Sequence, residues 1–384
     1  MPREVLRTEP IYLDCNATSP IEPRVRDLVI CFLDEEFGNA GSRTHAYGTR
    51  AKNAIERARR QISSVVDAQP DEVFFTSGAT ESDNLAILGL VPELEKRGLK
   101  HVITSQIEHK AVLEPFDELE RRGFSMTRLP VTGGGYVEPD ALTAALRPNT
   151  GLVSVMHANN ETGILQPIVD LAGVLNRHPA YFHVDAAQGF GKDFQTLRNR
   201  RVDLISISGH KIYAPKGIGA LVARRRGFIR PPLTPLMFGG GQERGLRPGT
   251  LPVHLIAGLG LASELAAGEV NVRDAHNRMF RHALLEALAP FSPRLQGDQE
   301  RCQPHVVNLA FEDLDSEAVM LAWKDLVAVS NGSACTSHAY SPSHVLLAMG
   351  VEKTRIDTAL RLSWSHLTDL PDLVSMAAAV SRLR

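Results

Sequence analysis

From about residue 50 to residue 225, short apolar runs alternate with longer stretches in which apolar residues recur at helical spacing. The runs 73–76, 101–105, 152–157, 181–184, 202–206 and 219–223 read as strands. Several are nearly continuous in apolar or β-branched residues, as expected of strands buried on both faces of a sheet. The intervening stretches 49–66, 82–90 and 168–176 carry helical periodicity. Such alternation predicts an α/β fold, with a mostly parallel central sheet flanked by helices on both sides.

The pattern changes after a Gly/Pro-rich stretch at 231–249. Helices at 257–269 and 272–288, a strand at 306–311 and a helix at 316–321 predict a smaller α+β domain. The boundary is expected within 255–265. That divides the chain into a large domain, 15–257, and a small one made of 1–14 and 258–384, with residues 11–16 crossing between them. No internal repeat or low-complexity linker interrupts this plan.

Composition narrows the function classes. Hydrophobic residues make up 43% and charged residues 22% of 384, so a folded globular chain is expected. A formal charge of −2 argues against direct binding to nucleic acid or an anionic membrane surface. No apolar run is long enough to span a bilayer, and the Met1-Pro2-Arg3-Glu4 start lacks an apolar signal core, so a cytoplasmic protein is expected. The four cysteines, Cys15, Cys31, Cys302 and Cys335, are scattered and form no CxxC pair. Neither a disulfide framework nor a metal site is expected from them.

Three motifs carry chemistry. Phe75-Thr76-Ser77-Gly78-Ala79-Thr80-Glu81-Ser82 leaves a predicted strand and opens a helix. Small residues there let backbone N–H groups and the helix N-terminus meet an anion, although a capped strand-to-helix turn looks the same in isolation. Ser208-Gly209-His210-Lys211 ends another strand; a lysine partly desolvated beside a cationic neighbour becomes a nucleophilic amine, whereas most loop lysines are simply solvated. Asp185 closes the 181–184 strand, where a carboxylate can pair with a protonated pyridine nitrogen. In that order, the three suit pyridoxal phosphate (PLP): a phosphate cradle, a ring partner and a Schiff-base amine.

Carried further, the chain resembles the cysteine desulfurases, within the class V group of fold-type-I PLP enzymes. The resemblance runs through Tyr12-Leu13-Asp14, Phe37-Gly38-Asn39, 76–84, Glu108-His109-Lys110, 156–161, 183–188, 208–211, 244–252 and 332–337. It implies the PLP-dependent transferase fold type I. It also implies that Lys211 bonds to the cofactor, that His109 stacks on its ring and relays protons, and that Asp185 faces the ring nitrogen. Gln188 would lie near the ring hydroxyl and Asn160 near the substrate. Ala79, Thr80, Ser208 and His210 would hold the phosphate, and Arg361 would grip the substrate carboxylate. The 244–250 segment resembles one that reaches into the neighbouring subunit of a homodimer, where Thr250 adds a phosphate contact. Pro248 stands where the family more often has Ser or Ala, which removes one N–H donor.

Cys335 lies in Ser330-Asn331-Gly332-Ser333-Ala334-Cys335-Thr336-Ser337, a small and polar setting unlike that of a packed structural cysteine. The resemblance makes it the acceptor of sulfur from L-cysteine, as a persulfide, with L-alanine released. Cys15, Cys31 and Cys302 read as structural or incidental. A sulfur-acceptor protein is the implied partner, in iron–sulfur assembly, tRNA thiolation or DNA phosphorothioation. Family members often carry a docking tail beyond the point where this chain reaches Arg384, which the resemblance reads as a sign of a specialised acceptor. Arg224-Arg225-Arg226 reads either as a docking patch or as a solvated basic turn. The alternatives are a selenocysteine lyase or other class V enzyme, and a catalytically silent docking scaffold. An aminotransferase has no use for the Ser-Ala-Cys loop, and a silent scaffold has no use for Lys211 and Cys335.

Overall fold

The computed structural model describes residues 9–331 and 342–384. Its strands are β1 (Ile11–Tyr12), β2 (Val73–Thr76), β3 (His101–Ser105), β4 (Ser125–Leu129), β5 (Thr150–Ser154), β6 (Tyr181–Asp185), β7 (Leu204–Ser208), β8 (Gly219–Ala223), β9 (Arg294–Leu295), β10 (Val306–Ala310), β11 (Val327–Ala328) and β12 (Ala359–Ser363). The helices are α1 (Pro23–Asp34), α2 (Ala46–Val65), α3 (Ala79–Leu88), α4 (Val91–Lys96), α5 (Lys110–Arg121), α6 (Pro139–Ala145), α7 (Ile168–Leu175), α8 (Val253–Gly268), α9 (Val270–Leu288), α10 (Ser316–Trp323), α11 (His344–Ala348), α12 (Lys353–Asp357) and α13 (Leu373–Ser381).

Seven strands form the main sheet in the order β2-β8-β7-β6-β5-β3-β4. Only β8 runs against its neighbours, so the sheet is mostly parallel, as the alternating pattern predicts. Successive residues supply opposite faces. Phe75, Ile103, Val153, Phe182 and Ile205 pack with α2, α7 and α8. Phe74, Val102, Leu152, Tyr181 and Leu204 pack with α3 and α5. Both faces are therefore covered, which is why these strands read as continuous apolar runs. Gly260 lets α8 press on α2, since a Cβ there would sit 2.6 Å from Ala58.

A second core joins α9, α10 and α13 to the antiparallel β12-β10-β9 sheet. Phe280 stacks on Trp364 with ring centroids 4.6 Å apart. Leu13, carried in by the first segment, is fully buried there. The two cores change over between α8 and α9: Val253, Ile256 and Leu259 belong to the first, Phe280 and Leu284 to the second. We place the domain division at that junction on this packing, later than the expected 257.

Residues 11–16 pass from the second core, where Leu13 is buried, to Asn16, whose carbonyl and side chain meet Lys211 and Asn160. β1 pairs in parallel with β11, and Cys15 then donates its N–H to the Ser363 carbonyl at 3.0 Å. The Arg224–Arg226 run is divided between buried and exposed positions. Arg224 is buried and donates to four backbone carbonyls, those of Asn199, Val202, Val66 and Leu197. Arg226 spans both oxygens of buried Asp203 and the Ala180 carbonyl. These side chains knit loop ends together: the Arg224 charge is withdrawn from solvent, while Arg225 and Arg226 stay exposed although each is paired with an aspartate.

Candidate active site

A cavity of about 450 Å3 opens beyond the C-terminal ends of β5, β6 and β7, bounded by the turn after β2 and the start of α5. In a parallel sheet this is where several strands can each deliver one side chain to a common point. Asp185 ends β6 on the cavity wall, and its Oδ1 accepts from the Ala187 N–H at 2.9 Å. Burial pushes its pKa up, opposed by that bond and by His109 and Lys211.

Lys211 follows β7 in a single helical turn, Gly209–Lys211. Its Nζ donates to the Ala17 carbonyl at 2.7 Å and to the Asn16 carbonyl. His210, beside it, is fixed by Thr18 Oγ1 at 3.1 Å, and burial lowers its pKa to about 4. It is therefore neutral near pH 7. Ser208 lines the same wall.

Ala79 and Thr80 form the first turn of α3 and border the cavity. First-turn N–H groups have no partner within their helix, so they are donors available to an anion. Close packing sets the turn against the sheet: a Cβ on Gly219 would come within 2.6 Å of Gly78 Cα. His109 caps α5, its Nδ1 accepting from the Ala111 N–H at 3.1 Å, and burial lowers its pKa. That bond leaves Nε2 as the nitrogen that carries the proton in the neutral ring.

Gln188 donates to the Asn16 carbonyl at 2.9 Å, while its buried Oε1 has no hydrogen-bond partner. Asn160 and Arg361 complete the wall. Arg361 is 1% exposed and already engaged: its guanidinium pairs with Asp14 Oδ1 at 2.6 Å and with the Asn160 carbonyl at 3.1 Å. Its Nε is buried without a partner.

Thr250 is not brought to this cavity. It is exposed and borders a different depression, beside Asn39, Arg43 and Glu243. Cys335 lies outside the described residues. The flanks of its segment are nevertheless anchored beside the cavity: Ser330 and Arg361 exchange backbone hydrogen bonds, Ser343 donates to buried Glu161, and His344 Nε2 bonds the Glu108 carbonyl at 3.0 Å.

The sequence model of the aminotransferase class-V family matches residues 11–373. Cysteine desulfurase IscS of Methylococcus capsulatus is 46% identical, over 95% of this chain and 90% of its own length. The chain belongs to the cysteine desulfurase family. A cysteine desulfurase of Pongo abelii is 44% identical over 94% of this chain and 78% of its own. The crystal structure of DndA from Streptomyces lividans superposes with a TM-score of 0.82 at 52% identity, covering 92% of this chain and 99% of that one. The structure of SspA in complex with cysteine gives 0.80 at 36% identity, over 92% and 98%. Class V enzymes of this family depend on PLP.

For a desulfurase of this family, motif reading misses several groups at the cavity. Asn16 and Ala17 act through backbone carbonyls, which carry no side-chain signal. Asp83 is fully buried, with its Oδ1 3.4 Å from Nε2 of His183, and burial together with the Asp185 charge raises its pKa strongly, opposed by Ser206. Glu108, next to His109 in the chain but not on the cavity wall, is fully buried too. Ser105 Oγ and the Met156 N–H donate to its Oε1, and burial raises its pKa to about 8. Both acids sit inside quoted motifs, where only their adjacency to active groups hinted at them. Among the described residues no His, Cys, Asp and Glu cluster suits a metal ion.

Proposed function

We propose that this cavity holds PLP and that the protein moves sulfur from L-cysteine to Cys335, leaving L-alanine. The residues present suit the group. Gln188 Oε1 is a buried acceptor without a donor, matching a ring hydroxyl. Asp185 offers a carboxylate that a protonated ring nitrogen would restore to its charged form. The first turn of α3, with Thr80, Ser208 and His210, offers donors for a phosphate.

Bound there, the cofactor supplies an electron-accepting ring for the pair left on the substrate Cα when its proton is removed. Lys211 has the amine to hold the cofactor and, once released, to take and return that proton. His109 presents an Nε2 proton over the cavity. Arg361 and Asn160 would orient the substrate carboxylate. The Cys335 thiolate would attack the substrate sulfur: the new S–S bond forms, the Cβ–S bond breaks, and its electron pair stays on carbon and is protonated. The balance is L-cysteine plus thiol to L-alanine plus persulfide, with no external oxidant.

The observation that carries this reading is convergence. Lys211, Asp185, His109, Gln188 and Arg361 come from separate parts of the chain to one cavity, and both flanks of the Cys335 segment are tied to residues beside it. We infer a homodimer because Thr250 faces away from its own cavity, and because Phe228 and Phe238 are almost fully exposed. Delivery to an acceptor protein in the cytoplasm completes the reading. No single described helix is long and apolar enough to cross a membrane.

Mass spectrometry tests it. Protein given L-cysteine without reductant should gain one sulfur at Cys335, removable by dithiothreitol. Cys335→Ser should bind PLP and L-cysteine yet release no alanine. Alanine release at the wild-type rate by that variant would overturn the reading.

A further inference from the structure

A second cavity, of about 390 Å3, lies where the turn at 191–193 meets α9 and residues 299–305. The reaction above uses none of it. Lys192 brings an amine there whose Nζ lies 3.1 Å from Nε2 of His305, and no described carboxylate stands within ion-pair distance of it. An enclosed amine without an anion is costly. Burial, and then the charge of Lys211, bring its pKa down to about 7.

Two further side chains on the wall are incomplete in the opposite sense. Asn277 and Gln303 are 7% and 2% exposed, and Asn277 Oδ1 and Gln303 Oε1 are buried acceptors with no donor. Neither oxygen has a donor within the described residues, so a donor seated in this cavity would satisfy both. Charges of both signs surround them: Arg273 and Arg278 against Asp193, Asp274 and Glu300. Mixed charge disfavours a phosphate or other polyanion and suits a zwitterion.

We propose that this cavity binds a small zwitterionic α-amino acid, its carboxylate at Lys192 and its ammonium at Asn277 and Gln303. One carbon carrying a carboxylate and an ammonium complements an amine without an anion beside two oxygens without donors. One hydrogen bond joins the wall of this cavity to that of the cofactor cavity. Gln303 Nε2 donates to the Gln188 carbonyl at 3.2 Å, and the Gln188 side chain lines that cavity. The ligand class follows from the cavity alone; the choice of L-alanine as the probe rests on the desulfurase reading.

The test is a titration of the PLP-loaded enzyme with L-alanine, followed by calorimetry and by visible absorbance. Two sites per protomer are expected, only one of which perturbs the cofactor absorbance. Lys192→Met and Asn277→Leu, each close in shape to the original, should weaken the silent site about tenfold or more and leave the absorbing one unchanged. A single site in the wild type, a silent site indifferent to both substitutions, or a crystal grown with L-alanine showing only water in the cavity would overturn the proposal. Failure of the desulfurase reading looks different: no persulfide forms on Cys335, while calorimetry still titrates the silent site.

Discussion

Arg361 and Asp14 make opposite predictions from one contact. Arg361 is expected to receive the substrate carboxylate, yet Asp14 already holds one terminal nitrogen at 2.6 Å and the Asn160 carbonyl faces the other at 3.1 Å. An incoming carboxylate must therefore compete with Asp14 rather than find an empty fork. A hydrogen bond to a charged group contributes roughly 1.5–3 kcal/mol. With a donor on each terminal nitrogen already committed, the substrate gains about one such bond. At 1.36 kcal/mol per tenfold, Arg361→Met should lower kcat/KM by roughly 10- to 150-fold, mostly through KM. Asp14→Asn removes the competing charge and leaves the cation in place, so KM for L-cysteine should fall. Both variants should be less stable than the wild type. Arg361 is 1% exposed, and breaking a buried pair costs on the order of 3–5 kcal/mol, less here because Asp14 keeps 21% of its side chain in solvent. The assay is alanine formation against L-cysteine concentration, with denaturant melts run in parallel. A purely structural ion pair would move KM the same way in both variants, in step with stability. That result, or an unchanged kcat/KM in folded Arg361→Met, refutes the reasoning.

Lys211→Ala should abolish both turnover and the borohydride-reducible bond to PLP; a reducible bond surviving in the variant would show that another amine serves. Arg224→Ala should cost about 3 kcal/mol or more in denaturant melts, because four carbonyls lose their donor, whereas Arg225→Ala, whose partner Asp71 is half-exposed, should cost about 1 kcal/mol or less. A docking patch would instead show weaker acceptor binding at unchanged stability. Glu108 holds its proton up to about 8 in the folded chain and to about 4.5 when unfolded, so the folded form binds more protons between those values and stability falls as pH rises through them. Glu108→Gln should remove that loss, gaining on the wild type between about pH 5 and about pH 8; a constant difference in melts at the two pH values contradicts the assignment.

Strands β2, β3 and β8 are legible to the residue because each carries a short apolar or β-branched run and is buried on both faces. Strand β7 is expected at 202–206 and observed at Leu204–Ser208. The apolar pattern ends early because Ser206 is polar, but its Oγ meets Nε2 of His183 at 2.9 Å, so the ladder continues through a satisfied buried hydroxyl. Strand β4 escapes notice as an edge strand whose Ser125 and Arg128 face solvent. Strand β12 escapes because Arg361 interrupts its apolar run, although that side chain is among the most buried in the chain. In each case a polar residue inside a strand is read as a break, while the structure pairs it or leaves it at an edge.

The same limit explains the crossing segment. Residues 11–16 are expected from the sequence as a crossing segment, but their chemical role depends on partners more than 190 positions away. Leu13 and Cys15 fix the segment to β11 and β12 by backbone hydrogen bonds. That places Asp14 on Arg361, and the carbonyls of Asn16 and Ala17 on the Lys211 amine. One stretch of backbone thus holds the group expected to receive the substrate carboxylate and the group expected to hold the cofactor. A substrate that draws Arg361 away from Asp14 pulls on the strand whose next residues accept from Lys211. Lys211 can leave those carbonyls only if the amine finds another partner, and on the proposed function PLP would be that partner. On the proposed function, the resting contacts of both charged groups are ones that a ligand would replace: the cofactor those of Lys211, and the substrate carboxylate that of Arg361.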